Sequence, residues 1–317
     1  GSVIQLKTKI NNAYLDLRNS VEHKLELVED KIKNKLKSDV SLVEKMTTYN
    51  LSTGGKRLRA LITLGSAKLC GYTKGGRDVN LAACVELIHA ATLMHDDVLD
   101  SILVGDYLLS RCFERMVEDG NIEVLKLLSS TSAQIAQGEV LQLQHKSELD
   151  IIEETYLKII TSKTASLFSA SSRVGAILGK QEEKIKDALD SYGKNLGITF
   201  QIADDTLDYN SQIQKFGKKI GNDFFEGKIT LPVIILNQKC NSDEKIKLKK
   251  LFTKEYRNEN EFKFVLDLIT KYNVISECYK KADYFISLAS NSLNVIKDCE
   301  ERNILKKLTS FSIEISF

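Results

Sequence analysis

The sequence predicts an all-α protein, and three observations carry that. Pro232 is the only proline in 317 residues, so long helices run without a break. No stretch sustains the period-two alternation of a half-buried strand. Apolar and small residues instead recur at spacings of three and four, as in Leu81, Cys84, Val85, Ile88 and Thr92. Hydrophobic residues make up 43% of the chain, enough for a sizeable core, and the length suits one large helical domain or two smaller ones.

Taken in order, residues 3–50 predict two or three amphipathic helices with Leu15, Val21, Leu25, Val28, Ile32 and Leu36 facing inward. A helix then opens after Ser52-Thr-Gly-Gly-Lys-Arg-Leu-Arg59 and stops at Gly71. The next ends in Met94-His-Asp-Asp-Val-Leu-Asp100. Residues 101–146 give two more, and 148–179 continue with Tyr156 and Ile159 as core. An apolar helix through Leu196, Ile198 and Phe200 ends at Asp204-Asp-Thr-Leu-Asp208. Residues 210–228 are rich in lysine and glycine and read as a lid. Beyond Pro232 come four or five amphipathic helices, with Tyr272, Tyr279, Phe285, Leu288 and Leu305 as packing positions.

Composition excludes some functions. A net charge of +2 gives no argument for nucleic acid. Six cysteines without a Cys-x-x-Cys pair read as buried free thiols in a reducing, cytoplasmic setting. No run of 18 apolar residues predicts a membrane span.

The chemistry is concentrated in two copies of Asp-Asp-x-x-Asp, at Asp96, Asp97 and Asp100 and at Asp204, Asp205 and Asp208. On a helix the first and last of each triad share a face. Like charges at that spacing destabilise a helix by a few tenths of a kcal/mol per pair, so something cationic should compensate. Two triads converging on one site suit a hard divalent cation with oxygen ligands, and magnesium shares itself readily with substrate phosphates. A single triad could be a solvated helix end; two, each closing an apolar helix, favour metal. Gly54-Gly55 before a helix, with Lys56, Arg57 and Arg59, suits an anion, although the Walker spacing is absent. His89 lies seven residues before Asp96, two turns along the same face. His95 is given no role.

Together these pieces resemble the trans-polyprenyl diphosphate synthases of the farnesyl diphosphate synthase superfamily. The matching segments are Gly54-Gly-Lys-Arg-Leu-Arg59, His89, residues 96–100, Gly105-Asp-Tyr-Leu108, Lys163-Thr164, Phe200-Gln201, residues 204–208 and Gly217-Lys-Lys-Ile-Gly-Asn-Asp-Phe-Phe-Glu-Gly-Lys-Ile-Thr-Leu-Pro232. The resemblance implies a single large helical bundle over residues 1–317 around a central cavity, and condensation of an allylic diphosphate with isopentenyl diphosphate by a homodimer using up to three Mg2+ ions. Asp96, Asp100, Asp204 and Asp208 would hold metal. Asp97, Asp205, Lys163 and Lys228 would complete the catalytic set. Lys56, Arg59, His89, Thr164, Gln201 and Lys218 would bind substrate. Ala91 and Thr92, both small and one turn below Asp96, would leave a tunnel open for a long product, roughly seven to ten isoprenes at about one helical turn each. One departure matters. The family carries a loop with an Arg-Arg-Gly sequence after the first motif, whereas Asp100 here runs straight into Ser101; the expectation is that this loop belongs to the protein but is missing from the numbering. A shorter-chain (geranylgeranyl) synthase, a terpene cyclase and a non-catalytic subunit of a heteromeric synthase are the rival readings.

Overall fold

The computed structural model describes residues 3–35, 56–95, 99–214 and 219–309, and these are helical throughout, with no strand among them. The helices are α1 (Val3–Ser20), α2 (Glu22–Lys35), α3 (Leu58–Leu69), α4 (Arg77–His95), α5 (Leu99–Asp119), α6 (Ile122–Gln144), α7 (Glu153–Ile160), α8 (Ser166–Leu178) and α9 (Glu183–Leu207), followed by α10 (Ser211–Gln214), α11 (Asn222–Glu226), α12 (Leu231–Lys239), α13 (Ser242–Thr253), α14 (Glu259–Lys271), α15 (Val274–Ser292) and α16 (Glu300–Lys307). A five-residue π-helical turn, Thr161–Ala165, joins α7 to α8.

The helix ends follow local chemistry. Asn241 and Asn258 each form a capping box with the glutamate three residues on, Glu244 and Glu261, starting α13 and α14. Asn121 caps α6 through the Val124 N–H. The start of α3 is less ordinary. Arg57 sits at φ 54°, a left-handed conformation rare for a side chain of this size. Glu29 holds it through two hydrogen bonds of 2.6 and 3.3 Å. Glu86, reaching over from α4, accepts the Ala60 N–H at 3.0 Å and so caps α3 from another helix. One of the amides expected to face an external anion is therefore taken by the protein's own carboxylate; Gly54 and Gly55 lie outside the described residues.

The longest helix, α9, runs through the middle. Its N-terminal half buries Leu189, Tyr192 and Leu196 in a core shared with α1–α6, α8 and α16. Its C-terminal half buries Ile198 and Ile202 in a second core with α7 and α11–α15. Gly193 lets α8 close on it: a Cβ there would stand 2.3 Å from the Phe168 carbonyl oxygen. This packing brings the end of α9, with its three aspartates, against α7, the π-turn and the segment before α12.

Most inward positions match the sequence reading: Val21, Leu25, Val28, Ile32, Tyr156, Ile159, Tyr279 and Leu305 are buried. Leu15 is a correction, being 46% exposed. The buried face of α1 runs through Ala13 and Leu17, and Leu15 lies about 200° round from both. Leu36 lies outside the described residues. Residues 100 and 101 are consecutive within α5, which runs unbroken across the point where the loop was expected. All six cysteines are free thiols, five of them buried. Among the described residues no helix is long and apolar enough to cross a membrane.

Candidate active site

A cavity of about 450 Å³ opens where α6, α7, α9 and the segment before α12 meet. Lys163, Thr164, Gln201, Asp205 and Lys228, all singled out from sequence, line it. Ile151, Ile159, Ile160 and Ile229 add apolar lining.

Lys163 lies in the π-turn, which shifts the register by one residue and turns its side chain toward α6. There Nζ donates to Gln142 Oε1 and pairs with Glu139 at 3.0 Å. The approach is close: a Cβ on Gly138 would stand 2.8 Å from Lys163 Cγ. Thr164 Oγ1 donates to Gln201 Oε1 at 3.0 Å, and Gln201 Nε2 donates to Asp205 Oδ1 at 2.9 Å. The Tyr156 hydroxyl donates to the other oxygen of Asp205.

The three aspartates of the second motif have separate tasks. Asp205 is 3% exposed, and burial pushes its carboxyl up to about 6, against the pull of Lys228 and its hydrogen bonds. Asp208 holds the backbone: its carboxylate accepts the N–H groups of Gly221 (2.9 Å), Asn222 (3.2 Å) and Asp223 (2.6 Å), capping the short helix α11. The resemblance implies metal ligation for the same carboxylate. Asp204 alone of the three is exposed. A fourth carboxylate, Asp223, joins the cluster, pushed up to about 7 by burial and by Asp205. Lys228 is held protonated: burial works against its charge, but Asp205, Asp223, Glu226 and Asp204 together outweigh it and raise it.

Carboxylates outnumber ammonium groups on this wall, so a diphosphate could approach only with cations. Among the described residues no three carboxylate, imidazole or thiol groups are set to hold an ion alone. An all-oxygen, mutually repelling donor set nevertheless fits a hard divalent ion whose shell is completed from elsewhere. Asp96 and Asp97 lie outside the described residues, as does Lys218, and Asp100 falls in the first turn of α5.

Arg59 and His89 form a second cluster. Arg59 Nη1 lies 3.3 Å from His89 Nε2. Arginine has only donors, so His89 accepts there and carries its proton on Nδ1. Burial and the neighbouring Arg59 and Arg57 push the imidazole down to about 3, so it is neutral at any physiological pH. Burial also draws Arg59 down to about 10. Its guanidinium lies 4.4 Å from the Phe168 ring centroid, and Phe168 contacts Phe200 at 5.9 Å, beside Gln201. That aromatic pair runs from Arg59 to the chain neighbour of Gln201. Lys56 is exposed, its Nζ 5.6 Å from the Tyr14 ring centroid. Ala91 and Thr92 line neither cluster: Ala91 is buried against Gly105 of α5, and Thr92 Oγ1 donates to the Ile88 carbonyl at 2.8 Å. His95, given no role from sequence, meets Asp106 at 2.9 Å.

Sequence reasoning passed over Tyr156 and Asp223. Tyr156 falls in an apolar stripe and reads as core, which its ring is; periodicity does not show where a hydroxyl points. Asp223 sits in a five-residue helix too short to give a pattern, although Gly-Asn-Asp downstream of an aspartate motif was a usable signal.

Comparison with known proteins agrees with this geometry. The polyprenyl synthetase family model matches residues 40–101 and 100–269. Octaprenyl diphosphate synthase of Escherichia coli (strain K12) is 40% identical over 222 positions, covering 64% of this chain and 68% of that protein. Those positions exceed the residues this chain contributes by about twenty, and the family match breaks at 100–101. A decaprenyl diphosphate synthase from Rhodobacter capsulatus superposes with a TM-score of 0.90 at 35% identity, covering 96% of this chain and 100% of that one. A polyprenyl synthase from Caulobacter crescentus CB15, crystallised with calcium and isoprenyl diphosphate, gives 0.89 at 33% identity, covering 95% and 97%. The chain belongs to the polyprenyl synthetase family of prenyltransferases.

Proposed function

We propose that the chain joins an allylic diphosphate to successive isopentenyl diphosphates and makes a long-chain all-trans polyprenyl diphosphate of the octaprenyl kind. The observation that carries this is the convergence of Lys163, Thr164, Gln201, Asp205 and Lys228 on one cavity that isoleucines also line. Such a cavity takes an anionic head and an isoprenoid tail together.

Magnesium, bound through Asp96, Asp100 and Asp204, would neutralise charge as the diphosphate departs. The complex of the Caulobacter protein with calcium and isoprenyl diphosphate supports a divalent ion here. Lys163 and Lys228 place fixed ammonium charge where the leaving diphosphate gathers its own. Glu139 and Gln142 keep Lys163 extended, and the chain from Thr164 through Gln201 to Asp205 fixes the second motif. Lys56, Arg59 and the Nδ1–H of neutral His89 would orient isopentenyl diphosphate beside Phe168. No side chain of the described site stands as a dedicated general base, so the final proton goes to the departing diphosphate.

The octaprenyl and decaprenyl products in the relatives' names support a long product. Leu103 and Val117 on α5, with Ile122 and Val140 on α6, are exposed apolar side chains that a homodimer would cover. Light scattering on the purified protein tests the dimer. Incubation with labelled isopentenyl diphosphate, farnesyl diphosphate and Mg2+ tests the activity; Asp96→Ala should abolish it, and a folded wild type that incorporates no label would overturn the reading.

A further inference from the structure

Thr230 stands in the cavity wall two residues beyond Lys228 and is the N-cap of the nine-residue helix α12. An N-cap threonine ordinarily accepts a backbone N–H two or three residues on. Here it makes no such bond. The N–H groups of Val233 and Ile234 both go to Thr230's own carbonyl, at 3.1 Å each, and Pro232 has none to offer. The residue is 1% exposed, and its Oγ1 is shut off from solvent without a hydrogen-bond partner. A buried hydroxyl left unpaired weakens the folded state, whereas valine would fill the same space without that cost. A rotation of about 120° in χ1 carries Oγ1 to the place now held by Cγ2 or by the Cβ hydrogen, so the hydroxyl has more than one direction open to it.

Helix N-termini favour oxyanions. We propose that the Thr230 hydroxyl, with Lys228 and the N-terminus of α12, forms a subsite for a phosphate oxygen of a substrate diphosphate. Thr230 is then a positioning residue whose free hydroxyl is satisfied only when substrate is bound. This rests on the diphosphate chemistry proposed above and adds a residue to it.

The test compares Thr230→Val and Thr230→Ser with the full-length wild type. In the free protein, Thr230→Val should show a denaturation midpoint equal to or above that of wild type, because nothing is lost. Calorimetric titration with inorganic pyrophosphate and Mg2+ should show about tenfold weaker binding by the valine variant, the value of one hydrogen bond to a charged group, and near-normal binding by the serine variant. A rise confined to the allylic or to the isopentenyl KM would identify which diphosphate uses the subsite. A valine variant that is destabilised or does not fold would show a structural partner for the hydroxyl and overturn the proposal. So would undiminished pyrophosphate binding by a folded valine variant. A wild type that binds no pyrophosphate with Mg2+ would instead overturn the synthase reading on which the subsite rests.

Discussion

Replacing Asp205 by asparagine should make the metal-free protein more stable at pH 8, although it removes a motif residue. The folded protein holds the Asp205 proton up to about pH 6, whereas the ordinary value is 3.8. A carboxyl raised in the folded state gives stability that is complete below the unfolded value and is lost as pH climbs through the folded one. The roughly two pH units between them correspond to about 3 kcal/mol withdrawn from folding by pH 8. Asparagine avoids that loss and still accepts the Tyr156 hydroxyl. Its amide would face Gln201 Nε2 donor to donor, so Gln201 must turn over, at about 1 kcal/mol. The net expectation is about 2 kcal/mol in favour of the variant at pH 8, reversing to about 0.5 kcal/mol against it near pH 4, where the folded wild type holds the proton and its unfolded state is roughly half ionised. Asp223 titrates in the same range but is present in both proteins, so the difference between them isolates Asp205 and its coupling to that neighbour. Urea denaturation of both proteins in chelator, at pH 4, 6 and 8, measures it. A stability difference that does not change with pH would refute the reasoning.

Asp96→Ala should lower turnover by at least 10²-fold, as removal of transition-state charge stabilisation does elsewhere, while thermal unfolding stays near that of wild type. Ala91→Phe should shorten the product on chromatography; an unchanged product would rule out a tunnel past that residue. Tyr156→Phe should cost about 1–3 kcal/mol of stability, because Asp205 loses a donor inside the protein, and should raise the Mg2+ concentration for half-maximal rate. Intact mass spectrometry should return a value above 35.6 kDa if the positions missing after Asp100 belong to the protein; a mass of 35.6 kDa would show that α5 follows the first motif directly.

Much of this was legible in the sequence because it depends on spacing. Helix α9 declares itself by its apolar repeat and its aspartate ending, and Lys163, Thr164, Gln201 and Lys228 are brought together as the family pattern implies. What was not legible depends on where a side chain turns. Asp204, Asp205 and Asp208 look equivalent as letters, yet one is exposed, one is buried under a tyrosine and one holds three backbone amides. The π-turn under Lys163 has no sequence signature, and it decides which residue reaches Glu139 and Gln142. No spacing marks Glu86 as a cap, and only tertiary packing shows it capping α3.

The product of the purified protein, incubated with farnesyl diphosphate, isopentenyl diphosphate and Mg2+, tests the central claim most directly. A single all-trans polyprenyl diphosphate of roughly seven to ten isoprene units, about one helical turn of tunnel for each, is the expected result. Chains that stop at four units, or folded protein that leaves both substrates unjoined, would contradict it.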